Sequence, residues 1–216
     1  MTQRIVAIAR IDGLSYLKAR ALRPVETGVP SPSSPRATFT LRSPQPEDAV
    51  AFLRAVDGSR RFHAGRVSPP DTRAQYRTWM DRIDDGSYIS HLIIDAEGEM
   101  AGVINLGEVI RGGYQSAFLG YYVFAPHAAR GIMRAGLRMV VSRAFGPYRL
   151  HRLEAAVQPS NLASRHLLQT LGFRLEGLSL RSVKIGGRWR DHERWALTAE
   201  EWRAAAKERR SRSGKR

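Results

Sequence analysis

The feature that most restricts the fold is a change of hydrophobic period between residues 115 and 157. QSAFLGYYVF (115–124) has the makeup of a strand whose side chains fall on opposite faces. From Ile132 to Phe145, the apolar residues Ile132, Met133, Leu137, Val140, Val141 and Ala144 recur at helical spacing. RLEAAV (152–157) then reads as a short strand of the buried type. A strand, a helix and a strand in that order form a crossover that sets the two strands parallel. The preceding connections AEGE (96–99) and RGGY (111–114) hold the glycines that hairpin turns need. The reading is an α/β (α+β) domain with a mixed, mostly antiparallel central sheet flanked by helices.

The remaining elements fit that frame. TFTLR (38–42) is a short alternating strand, and Ser43 is placed to cap a helix starting at Pro44 with Ala49, Phe52, Leu53 and Val56 on one face. HAGRVSPP (63–70) reads as a loop, and Asp71 as the cap of a helix carrying Tyr76, Trp79, Met80 and Ile83. SYISHLIID (87–95) and MAGVINLGEVI (100–110) are strands. Asn161 to Leu171 is a helix closed by Gly172. The region around Gly186 and Gly187 is hairpin-like, and AEEWRAAAKER (199–209) is a short final helix. Residues 1–36 read as an N-terminal extension ending in the Pro/Ser-rich linker VETGVPSPSSPR, with Leu14, Leu17, Ala21 and Leu22 compatible with a short amphipathic helix. Residues 37–206 form one domain, and 207–216 a basic tail.

Charge narrows the partners. The 35 Lys+Arg against 20 Asp+Glu give +15, a field that attracts polyanions. The tail KERRSRSGKR holds six basic residues and one acid, which suits contact with RNA or simple solvation. The chain has no cysteine, so disulfides, thiolate metal sites and a cysteine nucleophile are excluded, and the cytoplasm is the default compartment. His63, His91, His127, His151, His166 and His192 show no metal-ligand spacing, so no metal is expected. The chain has no apolar run of about 18 residues, and the apolar patch near residue 5 is interrupted by Arg4, Arg10 and Asp12, so neither a membrane span nor a secretion signal is expected.

The segment that carries chemistry joins the strand 115–124 to the helix 132–145. It reads Ala125-Pro126-His127-Ala128-Ala129-Arg130-Gly131-Ile132-Met133. Small residues running into a helix N-terminus leave several backbone N–H groups unpaired, which makes an anion socket. Arg130 adds a cation, and Gly131 lets the backbone approach a ligand without a Cβ. Taken alone, the same residues also suit an ordinary turn. His127 beside them reads mainly as a loop-surface residue.

Several motifs in order resemble one family. FLGYYVFAPHAARGIM (118–133) resembles the acetyl-CoA segment of the GNAT acetyltransferases, and Pro159, Asn161 and Ser164 in QPSNLASRHLLQTLGF (158–173) match the segment that follows it. GVINLGEVIRG (102–112), RLHRLEA (149–155) and GGRWRDHERWAL (186–197) resemble the RimJ-type ribosomal-protein alanine acetyltransferases. The resemblance runs from about Phe39 to Trp202. It implies the GNAT fold, acetyl-CoA as co-substrate, and a primary amine as acceptor. It also implies that the backbone of Tyr122, Val123 and Phe124 lines the pantetheine arm. The amides of Ala128, Ala129, Arg130, Gly131, Ile132 and Met133 would hold the pyrophosphate. Asn161 would bond the pantetheine, and Ser164 would lie near the leaving sulfur. Read from the residues alone, Asn161 is also an ordinary helix cap. Where the family often has Gln-Gly this chain has Ala128-Ala129, and a requirement for positive φ there would strain the loop. The tyrosine acid of many members is replaced by the run Leu167, Leu168 and Gln169, which leaves Ser164 or water to protonate the thiolate.

The acceptor follows from proton energetics. At pH 7 an α-amine with pKa about 7.7–8 costs roughly 1–1.4 kcal/mol to deprotonate, and a lysine near 10.4 about 4.6 kcal/mol. A site without a powerful base therefore suits a protein N-terminus, and the RimJ resemblance makes that a ribosomal protein beginning with alanine. Glu108 is the first candidate base and Glu154 the second; either also fits an ion pair with an arginine. Arg111 and Tyr114 are candidates for the peptide entrance. Trp189, Arg190, Asp191 and His192 are explained by hairpin packing as well as by function. Competing readings are acetylation of an aminoglycoside or polyamine, and a weakly catalytic ribosome-assembly factor. The protein would act as a monomer or homodimer.

Overall fold

Apolar periodicity lays down the sheet first. The computed structural model describes residues 39–213. Its strands are β1 (Phe39–Arg42), β2 (Tyr88–Asp95), β3 (Met100–Ile110), β4 (Ser116–Val123), β5 (Arg152–Val157), β6 (Arg174–Ile185) and β7 (Arg188–Thr198). They form one sheet in the order β1-β2-β3-β4-β5-β7-β6. Only β4 and β5 are parallel, joined by the crossover helix α4 (Ile132–Phe145); every other pairing is antiparallel. The remaining helices are α1 (Ala49–Gly58), α2 (Arg60–His63), α3 (Arg73–Asp84), α5 (Leu162–Leu171) and α6 (Ala199–Ser213). The expected extension and linker of residues 1–36 lie outside the described residues.

Strand alternation divides the core between the two faces of the sheet. On one face, Leu137, Val140 and Val141 of α4 and Leu168 of α5 pack with Ile93, Ile104, Leu119 and Leu153. On the other, Phe52 and Val56 of α1 and Tyr76 and Trp79 of α3 pack with Leu92, Val103, Tyr122 and Phe124. Glycine lets α4 settle close to the sheet: a Cβ on Gly136 would lie 3.0 Å from the Cδ1 of Ile93 and 3.1 Å from that of Ile104.

Four boundaries differ from the sequence reading. The first helix does not start at Pro44. Pro46 holds Gln45 extended (φ −126°, ψ 157°), a 3-10 turn follows over Pro46–Asp48, and α1 begins at Ala49. Thr72, not Asp71, caps α3, its side chain accepting from the Gln75 N–H at 3.2 Å. The segment 63–70 is not all loop, because His63 ends the short helix α2. Finally, α6 runs on to Ser213, beyond the 199–209 expected.

The pairing of β4 with β5 is the part of the fold that makes room for a ligand. It covers only Ser116↔Arg152, Ala117↔Leu153 and Phe118↔Glu154. Beyond Phe118, β4 stays on β3 and β5 stays on β7, so the two parallel strands diverge and open a gap.

Candidate active site

The open edge of β4 is defined by one hydrogen bond. Phe124 N–H donates to the Ala101 carbonyl on the β3 side at 2.9 Å. The peptide is trans, so the Val123 carbonyl points the other way, into the gap. By strand alternation, the N–H groups of Leu119, Tyr121 and Val123 face the gap, while that of Tyr122 faces β3. Of the three backbone candidates Tyr122, Val123 and Phe124, only Val123 therefore offers its amide to a ligand in the gap. Tyr121 is its partner in that role, and nothing in the sequence fixes which parity faces outward. The side chains of Tyr122 and Phe124 are buried against α1 and α3.

The amides at the start of α4 are left without partners. The first helical hydrogen bond of α4 runs from Ala135 N–H to the Gly131 carbonyl at 3.2 Å. None of the six amides from Ala129 to Arg134 has an acceptor among the described residues. Ala128 is a correction: its N–H donates to the Ala125 carbonyl at 3.2 Å and is not available to a ligand. Gly131 caps α4 at φ 74°, and Ala129 lies at φ 60°. Position 129 does require the left-handed region, and alanine pays about 1 kcal/mol for it. Ala129→Gly should accordingly raise stability by about 0.5–1 kcal/mol, or about 1–4 °C in Tm. An unchanged or lower Tm would contradict that strain. His127 is buried, not on the loop surface: its Nδ1 lies 3.5 Å from an Asp95 carboxylate oxygen and holds the approach to the socket against the β2–β3 turn.

Two contacts tie the opposite lip of the gap together. His63 Nε2 lies 2.9 Å from the Val123 carbonyl, and the Gln158 side-chain amide donates to the Gly65 carbonyl at 2.9 Å. Segment 63–65 thus reaches from the end of β4 to the residue following β5. Ser59 Oγ accepts from Ala125 N–H at 2.9 Å and anchors the same segment to the loop after β4. The sequence reading placed no role on His63, because its position depends on contacts 60 residues away.

At the start of α5, Asn161 Oδ1 accepts from the Ser164 N–H at 3.2 Å, so Asn161 is a helix cap whose side-chain NH2 remains for other partners. The Tyr121 hydroxyl lies 3.5 Å from the Ser164 carbonyl. Burial pushes the Tyr121 phenol up to about 12, so it stays protonated and can donate.

The carboxylates are less available than the sequence suggested. Glu108 is bound to Arg82, whose guanidinium also stacks 3.9 Å over the Tyr88 ring. Glu154 accepts from Arg152 Nε at 2.8 Å. Each carboxylate is held by an arginine and would have to leave it to reach an amine. The candidates for the peptide entrance, Arg111 and Tyr114, lie at the far end of β4. Both sit in the β3–β4 turn, with the length of β4 between them and the socket. Arg111 Nη1 donates to the Tyr148 carbonyl, and Tyr114 is 69% exposed. In the β6–β7 hairpin, Trp189 is exposed, His192 is buried, and Asp191 accepts from the Arg181 N–H at 2.7 Å, which pins a bulge in β6. No group of His, Asp or Glu among the described residues could hold a metal, and no described helix is long and apolar enough to cross a membrane.

A divergent parallel strand pair leads into a helix start with six unpaired amides, a gap beside a helix end of the kind that favours anions. Residues 38–174 match the acetyltransferase (GNAT) domain, and the chain belongs to that family. It is an acetyl-CoA-dependent N-acetyltransferase. It is 36% identical over 126 residues to a probable N-acetyltransferase, YjcK, of Bacillus subtilis, covering 58% of this chain and 70% of that one. It is 35% identical over 106 residues to the Escherichia coli [ribosomal protein uS5]-alanine N-acetyltransferase, covering 49% of this chain and 55% of that one. Among solved structures it resembles Mycobacterium smegmatis RimJ in complex with CoA-disulfide, with a TM-score of 0.70 and 30% identity, covering 76% of this chain and 83% of that one.

Proposed function

We propose that the chain transfers acetyl from acetyl-CoA to the α-amine of a protein N-terminus, with a ribosomal protein that begins with alanine as acceptor. The observation that carries this reading is the 35% identity to the enzyme named for the alanine of ribosomal protein uS5. The acetyltransferase domain is assigned to residues 37–206, and the reaction to the cytoplasm, where ribosomal proteins are made. The basic segment 207–216 suits contact with ribosomal RNA.

In this reading the amides of Ala129, Arg130, Gly131, Ile132, Met133 and Arg134 take the pyrophosphate, each charged hydrogen bond contributing roughly 1.5–3 kcal/mol. The pantetheine arm lies along β4 between Tyr121 and Val123, with the Asn161 NH2 on its other side. The Val123 or Tyr121 N–H faces the thioester oxygen as negative charge develops, where one such donor is worth about 3–4 kcal/mol. The amine attacks the carbonyl, and the departing thiolate takes a proton from Ser164 or from Tyr121 beside it.

Local charge supports an α-amine over a polyamine. A polycation would want free carboxylates around the gap. Glu193, opposite Val157 on the β5 side of the gap, is paired with Arg165. The test offers acetyl-CoA with an alanine-initiated ribosomal-protein peptide, the same peptide blocked at its α-amine, spermidine and an aminoglycoside. Mass spectrometry should locate the acetyl group on the free α-amine, with kcat/KM at least about 10-fold above the other acceptors. Faster acetylation of spermidine or the aminoglycoside overturns the reading.

A further inference from the structure

We propose that His63 is the general base of this enzyme, taking the acceptor proton at Nδ1 as the amine attacks the thioester. The proposal rests on the acetyl-transfer reading of the β4–β5 gap and not on which amine is the acceptor.

Four observations converge on this ring. First, a carbonyl oxygen can only accept, so the 2.9 Å contact with Val123 fixes the proton on Nε2 and leaves the lone pair of neutral His63 on Nδ1. Second, His63 is only 4% exposed, yet Nδ1 has no hydrogen-bond partner among the described residues. A buried acceptor without a donor is costly and marks a place where one is supplied in use. Third, the ring bonds the Val123 carbonyl, which faces the gap in a residue whose amide faces it too. It packs on Tyr122 and Phe124, on the face opposite α4. The carrier enters past the α4 N-terminus, so the base stands on the other face of the sheet from it. Fourth, the carboxylates expected to act as base lie elsewhere. Glu154 is level with Phe118, and Glu108 lies one residue past its partner Gly107. Five residues of β4 separate that level from Val123, about 17 Å at roughly 3.3 Å per residue.

Burial lowers the His63 pKa below its ordinary value, and the Val123 carbonyl partly offsets this. The titratable group facing the ring from β4 is Tyr122, itself pushed up by burial and held protonated. On its own segment Arg60, Arg61 and Arg66 are cationic, and the nearby Asp57 is paired with Arg60. The imidazole is therefore neutral at pH 7 and able to accept. Its weak basicity is sufficient, because the nitrogen becomes strongly acidic once its lone pair is committed to carbon.

The step balances. The amine lone pair forms the C–N bond and the C–S bond breaks. The proton on nitrogen passes to Nδ1, and the thiolate is protonated from water or from Ser164 or Tyr121, which regains its proton from solvent. His63 then returns its proton to solvent.

His63→Gln retains an N–H donor for the Val123 carbonyl but has no basic lone pair. The assay follows CoA release with whichever primary amine the wild type accepts best, so an incorrect acceptor assignment leaves the test intact. We expect kcat to fall about 100-fold or more, with the Kd for CoA changed less than about 3-fold. The wild-type kcat should fall as pH drops through a limb below about 6.5, the ordinary histidine value, and that limb should vanish in the variant. His63→Gly with added imidazole provides the second measurement, and rate recovery should track the neutral imidazole fraction. A glutamine variant within about 3-fold of wild type, retention of the acid limb, or a glycine variant that binds CoA but shows no imidazole rescue would each overturn the proposal.

Discussion

Gly131→Val should weaken CoA binding about 100-fold while leaving the protein folded. Gly131 caps α4 at φ 74°, where a β-branched residue is strained, and open space around it means that the backbone, not a clash, sets the penalty. Relief of that strain rotates the peptides on either side and turns the amides of Gly131 and Ile132 away from a common focus. Loss of two charged hydrogen bonds of about 1.5 kcal/mol each amounts to about 3 kcal/mol, or roughly two orders of magnitude in Kd. Calorimetric titration with CoA measures the affinity, and far-UV circular dichroism reports the fold. A Kd within about 3-fold of wild type would place the phosphate grip elsewhere.

Phe52→Ala should have the largest effect on stability, about 3–5 kcal/mol. The ring is fully buried and sits 5.0 Å from Tyr76, 5.2 Å from Trp79 and 6.1 Å from Phe124, centroid to centroid. It links α1 and α3 to the end of β4, and so supports the His63 strap from beneath. Against a total of about 5–15 kcal/mol, such a loss is large, and at about 2–4 °C per kcal/mol it lowers Tm by roughly 6–20 °C. Calorimetry checks this, and a drop below about 3 °C would mean that the aromatic cluster does not carry that lip of the gap.

Much of the framework was legible because it is periodic. Residues 132–145 and 152–157 match α4 and β5, and Met100–Ile110 matches β3 to the residue. The mixed, mostly antiparallel sheet follows from one crossover among hairpins. The starts of α1 and α3 were misplaced because two capping-type residues stood near each, and the choice between them lies in local backbone geometry around Pro46 and Thr72.

The site was legible in part. A helix start rich in small residues announces itself, but the conformation of Ala129 does not, since φ is not written in a side chain. The open parity of β4 depends on the Phe124–Ala101 hydrogen bond, a register property invisible in one strand. Charge partners are harder still. Arg82 is 26 residues from Glu108 and holds it in an ion pair, while His63 reaches β4 from 60 residues away. Function drawn from residue types alone therefore favoured carboxylates on strands over a histidine at the end of a short helix.

The central claim is that the free amides of Ala129 to Arg134 grip the diphosphate while Val123 or Tyr121 faces the thioester. Amide-resolved NMR titration with CoA, and separately with pantetheine, tests it most directly. CoA should shift the signals of Ala129–Arg134, Tyr121 and Val123, and pantetheine only those of Tyr121 and Val123. Unmoved Ala129–Arg134 signals under saturating CoA, or shifts confined to the β6–β7 hairpin, would contradict it.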